Sequence, residues 1–360
     1  MSMNPYSPQL DRERYRLASW LTVLLLLTLG LVVWGGVVRL TGSGLSIPEW
    51  PIINGSLLPP FSVSAWQTVY QTYHIRELHL QDVAVPTIDQ LHQFQQMFWI
   101  EYGHRALAAC AGIIFLTLLV QTFRNRELRG SIGFRMTIAA IALIIQAILG
   151  GLVVKTDIRP ELLALHLGTA FFFIATIVWM ALTLMNPYSI VTSRNTLNTV
   201  AWFSVGFVQL QVMSGALVAA TFAGQLYNTW PLMNGYLLPP YDAMVSIEFG
   251  SVFLNLLHNP LTIQFIHRWL AFLTATMLIS TVIVAYRKRN LSPRGRMAIR
   301  ALPALITLQI LLGLANLLFK VPFWFGLAHL VTAVPVYCAV LVIAYDSGHR
   351  STESLSGEIV

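Results

Sequence analysis

The sequence predicts an all-α integral membrane protein of eight transmembrane helices, arranged as two pseudo-symmetric four-helix bundles. Three observations predict it. Of 360 residues, 56% are strongly apolar and 10% charged, against about 25% charged in an average soluble domain. The apolar residues are gathered into uncharged stretches of about the 20 residues that a helix needs to cross a bilayer. The chain also repeats itself. The same composition excludes an ordinary soluble enzyme and a disordered chain. A disulfide scaffold is excluded because the two cysteines, Cys110 and Cys338, lie in apolar runs, where they read as buried packing residues.

Seven uncharged stretches run from Leu17 to Val38, Ala106 to Phe123, Met136 to Val154, Leu162 to Met185, Trp269 to Tyr286, Ala301 to Phe319 and Val321 to Tyr345. No charge occurs between Arg194 and Asp242, and Leu197 to Ala220 has the length of the eighth span. The first span lacks a small-residue cleavage site and reads as a retained helix. RLTGSG at Arg39 to Gly44 lacks the GK[ST] ending of a phosphate loop and reads as a helix stop. The segment after Asp346 is short and polar and is expected to be disordered.

Eight spans place both termini on one side. Basic residues collect there: Arg12, Arg14 and Arg16 in the N-terminal tail, Arg124, Arg126, Arg129 and Arg135 between spans two and three, and Arg287, Lys288, Arg289, Arg294, Arg296 and Arg300 between spans six and seven, with Arg194 and Arg350. The alternation makes that side cytoplasmic or matrix-side; the expected placement is multi-pass in the cell inner membrane with both termini cytoplasmic. The net charge of +7 is thereby explained without a nucleic-acid partner.

WPIINGSLLPP at Trp50 to Pro60 recurs as WPLMNGYLLPP at Trp230 to Pro240, an offset of 180 that also relates Gly35, Thr41 and Gly44 to Gly215, Thr221 and Gly224. Beyond the first long loop the offset is 163. It relates His104, Arg105 and Ala108 to His267, Arg268 and Ala271, Gln146 and Gly150 to Gln309 and Gly313, and His166, Thr169 and Ala170 to His329, Thr332 and Ala333. The chain is thus a duplicated four-helix unit, residues 1–190 and 191–360. An even number of spans per unit makes the repeats parallel. The Trp-Pro and Leu-Leu-Pro-Pro segments either cap the two units or turn the chain at the headgroup level.

His104, His166, His267 and His329 fall near the outer ends of spans two, four, six and eight, His104 about one turn inside its helix. One isolated membrane histidine serves as well for an interhelical hydrogen bond as for function. Two equivalent pairs on alternate helices give facing imidazoles with an apolar slot between them, which suits haem with axial imidazole ligands. Zinc fits less well, because it needs three or four ligands at one point. Arg105 and Arg268 either bind haem propionates or snorkel to the interface. The loop histidines His74, His79, His92 and His258 are expected to be solvated.

The halves differ three residues before the first histidine, where Glu101 in IEYGHR faces Gln264 in IQFIHR. Residues three apart share a helix face, so Glu101 is placed toward the pocket of His104; its alternative is an interfacial carboxylate paired with Arg105. An acid able to exchange protons serves chemistry rather than electron carriage alone. The asymmetry assigns chemistry to the N-terminal pocket and a resident redox haem to the C-terminal one.

With RLTGSGLSIPEWP at Arg39 to Pro51, IEYGHR, the helix histidine in LALHLGTA, QFIHR and LAHLVTA in this order, the chain resembles the haem A synthase family over nearly its full length. It resembles the proteobacterial and mitochondrial branch, which lacks cysteine pairs in the outer loops. The resemblance implies conversion of haem O to haem A, the porphyrin 8-methyl being oxidised to a formyl group by two successive hydroxylations. It implies that His267 and His329 ligate a tightly held haem B. By the same likeness His104 and His166 face or ligate the substrate haem, and Glu101 is essential for its oxidation. The farnesyl tail of haem O gives a reason for a pocket within the membrane. Implied partners are a haem O synthase and an electron acceptor, besides the lipid bilayer, and a homo-oligomer is compatible with the sequence. Two other readings use the same histidines, a di-haem cytochrome for quinol electron transfer and a haem carrier.

Overall fold

The computed structural model describes residues 8–53, 55–56, 58–77, 84–186, 189–191, 195–287 and 291–351. Eight long helices are long and apolar enough to cross a membrane. We label them α1 (Pro8–Leu40), α2 (Ile88–Arg124), α3 (Arg126–Lys155), α4 (Pro160–Met185), α5 (Thr196–Ala220), α6 (Pro260–Tyr286), α7 (Pro293–Leu318) and α8 (Phe323–Gly348).

Most of these helices outrun the uncharged stretches that announce them. Backbone hydrogen bonding continues through polar flanks until a cap ends it. Thr87 and Gln90 form a capping box at the start of α2. Asn125 closes α2 and caps α3, accepting from Glu127 N and Leu128 N. Asn259 and Ser292 cap α6 and α7 with Pro260 and Pro293 at the first helical positions, where a missing N–H costs nothing.

The largest extension is at α2. From Ile88 to His104 the helix rises about 24 Å, so His104 lies more than four turns inside it rather than one. The aligned stretch of the second unit is split. A helix over Val252–His258 stops at Asn259 and α6 restarts at Pro260, because proline supplies no N–H and turns its predecessor away from helical angles. The extension of α2 is covered by a helix over Val63–Glu77, whose Trp66, Val69 and Tyr70 are buried against Phe94 and Phe98 of α2 and against Ile47 and Ile53.

Within the first unit α1 packs on α2, α2 on α3, α3 on α4 and α4 back on α1. The second unit repeats the circuit with α5, α6, α7 and α8, and the units meet where α4 touches α5 and α8, and α1 touches α8. The meeting face is the largest buried cluster, with Phe171 edge-on to Tyr337 at 5.4 Å between ring centroids. Tyr337 donates to Gln209 Oε1 (2.9 Å), and Gln209 Nε2 donates to the Gly168 carbonyl (2.9 Å).

The repeat persists in the turns. α1 ends before Gly42, at φ 69°, as the reading of RLTGSG as a stop requires. The bends after α3 and α7 each use two left-handed residues, Asp157 and Ile158 (φ 53° and 59°) and Lys320 and Val321 (φ 59° and 62°). Such angles are strained for branched side chains. They are compensated by bonds that close the helix ends, from Ile158 N to Val153 O (2.9 Å) and from Val321 N to Asn316 O (2.7 Å). Arg39 crosses between units, donating to the carbonyl of Ala219, the residue that aligns with it, and stacking on Phe222.

The chain beyond Asp346 differs from expectation. α8 continues to Gly348, and His349–Ser351 pairs antiparallel with Ser189–Val191, since the α4–α5 connection offers backbone partners beside it. Residues 352–360 lie outside the described residues. Cys110 is exposed on α2 rather than buried, because an apolar sequence does not distinguish a lipid-facing position from a core one. Next to the ribbon, Asn198 Nδ2 donates to the Ala344 carbonyl (3.0 Å) and to Ser347 Oγ (3.3 Å). Asn198→Leu removes both, although the Ala344 carbonyl still accepts from Ser347 Oγ (3.0 Å); we expect a loss of about 1 kcal/mol, read as lower thermal stability in detergent, and an unchanged melting curve would remove this contact from the packing of α5 on α8.

Candidate haem-binding site

The four helix histidines arrive in two pairs. Each pair lies near enough for its two rings to interact electrostatically, His104 with His166 and His267 with His329. As residues all four are half-buried, outside the fully buried core.

What admits an imidazole between packed helices is a glycine on the facing helix. His104 lies against Gly35 of α1, His166 against Gly150 of α3, His267 against Gly215 of α5 and His329 against Gly313 of α7. A methyl group at any of these glycines would stand 2.8–3.3 Å from the ring, closer than carbon packing allows. Three of the four glycines follow a glutamine by four residues, in QAILG (146–150), QVMSG (211–215) and QILLG (309–313). Positions four apart share a helix face, so amide and glycine address one histidine together. Gln146 Nε2 lies 3.2 Å from His166 Nε2, Gln309 Nε2 donates to the His329 carbonyl (3.1 Å), and Gln211 Nε2 lies 3.2 Å from both the His267 carbonyl and His267 Nδ1. Gln146 and Gln309 are visible in the sequence only as repeat matches; their histidine partners appear with the fold. The fourth copy is LVVWG (31–35), so His104 faces a leucine where its counterpart faces an amide.

His267 is the most firmly oriented. Ser214 donates its hydroxyl proton to the Gln211 carbonyl (2.8 Å), so its oxygen accepts from His267 Nδ1 (2.8 Å). Gln211 Nε2 also lies 3.4 Å from His267 Nε2, so the ring is held from both nitrogens by α5. Ser214 aligns with Trp34 in the first unit, whose indole instead donates to the Ile100 carbonyl (2.7 Å).

The arginines also part company. Arg105 Nη1 donates to the Glu49 carbonyl (2.6 Å), and Nη2 donates to the Ile47 carbonyl (2.6 Å) and Glu101 Oε1 (2.5 Å). Glu101, 3% exposed, takes its remaining bonds at Oε2 from Ser46 Oγ (2.8 Å) and Ile47 N (2.9 Å). The acid is therefore turned to the loop after α1 and paired with Arg105. Local donors settle its direction, where the three-residue spacing placed it toward His104. Nor is Arg105 free for a propionate, since both terminal nitrogens are engaged by the chain. Arg268 keeps only the equivalent of one bond, Nη2 to the Tyr227 carbonyl (2.6 Å), and its Nε and Nη1 are buried without partners. Gln264, in the place of Glu101, has an unmet Oε1.

Further buried polar atoms without partners among the described residues include His166 Nδ1 and His329 Nδ1, at aligned positions, and the Oε1 atoms of Gln146 and Gln211, besides others away from the histidines such as Tyr345 Oη and Asn316 Oδ1. Unmet atoms gathered round the histidines mark a site completed by something other than the chain. Among the described residues no three of His, Cys, Asp and Glu converge as metal ligands. Two imidazoles with an accessible face, glycine clearance and free arginine N–H groups fit a haem with its propionates.

The first Trp-Pro loop reaches this site and the second does not. Trp50 rests on Gly151, next to the glycine that faces His166, whereas Trp230 stacks on Phe272 (6.0 Å) because Leu314 occupies the place of Gly151. Two loop histidines are half-exposed and have partners in the chain. His74 stacks on Tyr70 at 4.0 Å, and His258 lies 3.6 Å from Glu161. His92 is exposed as expected, and His79 lies outside the described residues.

A family model described as cytochrome oxidase assembly protein, COX15-CtaA, matches residues 18–341. The chain belongs to this family. It is similar to proteins named heme A synthase from Bartonella henselae (32% identity over 349 residues, 94% of each chain) and Methylorubrum extorquens (35% over 341 residues, 91% of this chain and 84% of the relative). A third, from Nitrosomonas eutropha, is 33% identical over 345 residues, 93% of this chain and 94% of the relative.

The two arginines give an unequal prediction. Arg105→Leu strands the buried carboxylate of Glu101, and we expect a loss of about 3–5 kcal/mol. Arg268→Leu breaks one main-chain hydrogen bond and no ion pair, and should cost about 1–3 kcal/mol. Thermal unfolding in detergent compares them, and equal losses would contradict the asymmetry.

Proposed function

We propose that this chain is a haem A synthase of the inner membrane that oxidises the 8-methyl of haem O to a formyl group through two hydroxylations. The observation that carries the reading is the pair of glycine-backed histidine sites with unequal surroundings. The first unit, residues 1–190, receives the substrate, and the second, residues 191–360, keeps haem B between His267 and His329. The termini face the cytoplasm, as the basic connections require.

Retention and turnover ask different things of a site. In the second unit His267 is locked by Ser214 and Gln211, Arg268 offers two free N–H groups to propionates, and the acid is replaced by Gln264. These features suit a group that stays. In the first unit His104 bonds to the Leu31 backbone but has no side-chain amide beside it, so it lacks the second anchor that Gln211 gives His267. When bound, haem B supplies a one-electron centre through which electrons leave or reach the first site.

The chain's own residues do the rest. His166, steadied by Gln146 and Gly150, orients the substrate ring with His104. Glu101, one turn from His104 on α2, is the candidate proton acceptor; because Arg105, Ser46 and Ile47 hold its carboxylate on the loop side, it reaches the substrate through a bridging water or by turning from that loop. Trp50 closes the outer edge on Gly151 and keeps water out. A haem O synthase upstream and an electron acceptor complete the assignment.

The decisive assay is mass-resolved chromatography of haem from cells that make this chain with a haem O synthase, in a host lacking haem A. A haem A peak is expected; unchanged haem O with bound haem would favour a cytochrome or carrier. Glu101→Gln keeps the hydrogen-bond acceptor but not the base, so haem B content should stay at the wild-type level while haem A formation falls about 10²–10⁴-fold. Full activity would remove Glu101 from the chemistry. Gly313→Leu fills the space of His329 and should lower retained haem B by at least about tenfold. Gly206→Leu, at a helix position with open space, should not.

A further inference from the structure

Arg39, half-buried in the last turn of α1, carries a charge that its surroundings leave unbalanced. Among the described residues it pairs with no carboxylate, and α5 with its following turn, which it meets, has no charge between Arg194 and Asp242. Its Nε is buried without a partner, while Nη2 donates to the Ala219 carbonyl. A guanidinium in that state is completed by an anion. We infer that the anion is a propionate of the substrate haem, so that Arg39 is a positioning residue of the first site; the inference rests on the function proposed above.

Two contacts place the charge beside both histidine sites. Arg39 shares a face of α1 with Gly35, four residues before it, and Gly35 lies against His104. Ala219 stands in the same relation to Gly215 of α5, which lies against His267. Four residues are about 6 Å of rise, so the bond from Arg39 to Ala219 crosses between the units one turn outward of the two glycines. Ala219 is also the residue that aligns with Arg39, which puts the guanidinium close to the axis relating the units and leaves the second unit without a copy of it. Phe222 orients the group, with its ring centroid 4.7 Å from the guanidinium carbon, a cation–π contact. Phe222 holds φ 55° where its aligned residue is Gly42 at φ 69°. An aromatic residue kept at a left-handed angle bears strain, and the contact with Arg39 is what it gains.

The unequal arginines decide which haem is served. Arg268 has two unmet nitrogens beside the resident site, whereas both terminal nitrogens of Arg105 are engaged by Glu101 and the carbonyls of Ile47 and Glu49. The first site therefore takes its propionate donor from elsewhere, and Arg39 belongs to the first unit. Two axial imidazoles leave a flat ring free to turn in its plane. A charged fork on one edge stops that rotation and fixes which methyl group meets the reactive residues.

The test is a titration of the full chain in phosphatidylcholine nanodiscs, followed by Soret absorption, with haem O and with its dimethyl ester, which has the same ring and tail but no carboxylate. The wild type should bind haem O at least about tenfold more tightly than the ester. Arg39→Gln should shrink that preference to about threefold or less, with haem B content at the wild-type level. Arg39→Lys keeps the charge without the planar fork; its preference should fall at least about threefold, and it carries the comparison if the glutamine variant loses haem B. Equal binding of acid and ester by the wild type would overturn the proposal before any variant is made, and so would an undiminished preference in both variants. Loss of haem B from Arg39→Gln with the haem O preference intact would give the arginine to the resident haem instead. Haem A formed by a wild type that does not discriminate the ester would sink this assignment alone, whereas discrimination that depends on Arg39 with no haem A formed would sink the proposed function alone.

Discussion

An imidazole cannot enter a packed helix pair unless the opposite helix gives up a side chain. In this protein four glycines on α1, α3, α5 and α7 do so, one for each histidine on α2, α4, α6 and α8. The duplicated circuit of helices, the aligned bends after α3 and α7, and the matching Trp-Pro turns all serve to bring an odd-numbered helix's glycine to an even-numbered helix's ring. The glutamine one turn before three of these glycines adds direction to clearance. A larger residue at the glycine and the loss of the amide are therefore different injuries, the first steric and the second orientational.

Duplication supplies two sites, and a handful of unmatched residues makes them unequal. Glu101, Ser46 and the Ile47 amide engage Arg105 and close the first unit's polar edge on itself. Gln264 leaves Arg268 with unmet donors in the second. Ser214 and Gln211 fasten His267, while Trp34 and Leu31 stand in their places beside His104. The first unit has Gly151 to seat Trp50, where the second has Leu314, and Gly168 to let Met213 of α5 pack against α4, where the second has Val331. Each difference agrees with the proposed division between a second unit that retains its haem and a first unit that exchanges it.

Much of this was legible in the sequence, and the limits have physical causes. Eight spans and the repeat were readable because hydropathy and self-similarity accumulate over many residues. Helix ends were not, since charged flanks such as Asp89 and Glu101 remain hydrogen-bonded in α2, and the depth of His104 was underestimated with them. The helix over Val63–Glu77 was missed because its sequence is mostly polar, although Trp66, Val69, Tyr70 and Tyr73 keep helical spacing. The histidine pairs could be found from the repeat alone. The direction of Glu101 could not, because it is decided by Ser46 and Ile47, over fifty residues away in the chain. The glutamine-to-glycine spacing was available in the sequence, and it acquires meaning only when the facing histidine is known.

The central claim is that two sites of one ancestry hold haem differently. Its most direct measurement is the haem B content per chain of purified full-length protein with both histidines of one unit replaced by alanine. Replacing His267 and His329 should abolish the tightly held haem, whereas replacing His104 and His166 should leave it at the wild-type level with an unchanged absorption spectrum. Loss of the resident haem from the first-unit variant, or its survival in the second-unit variant, would contradict the account.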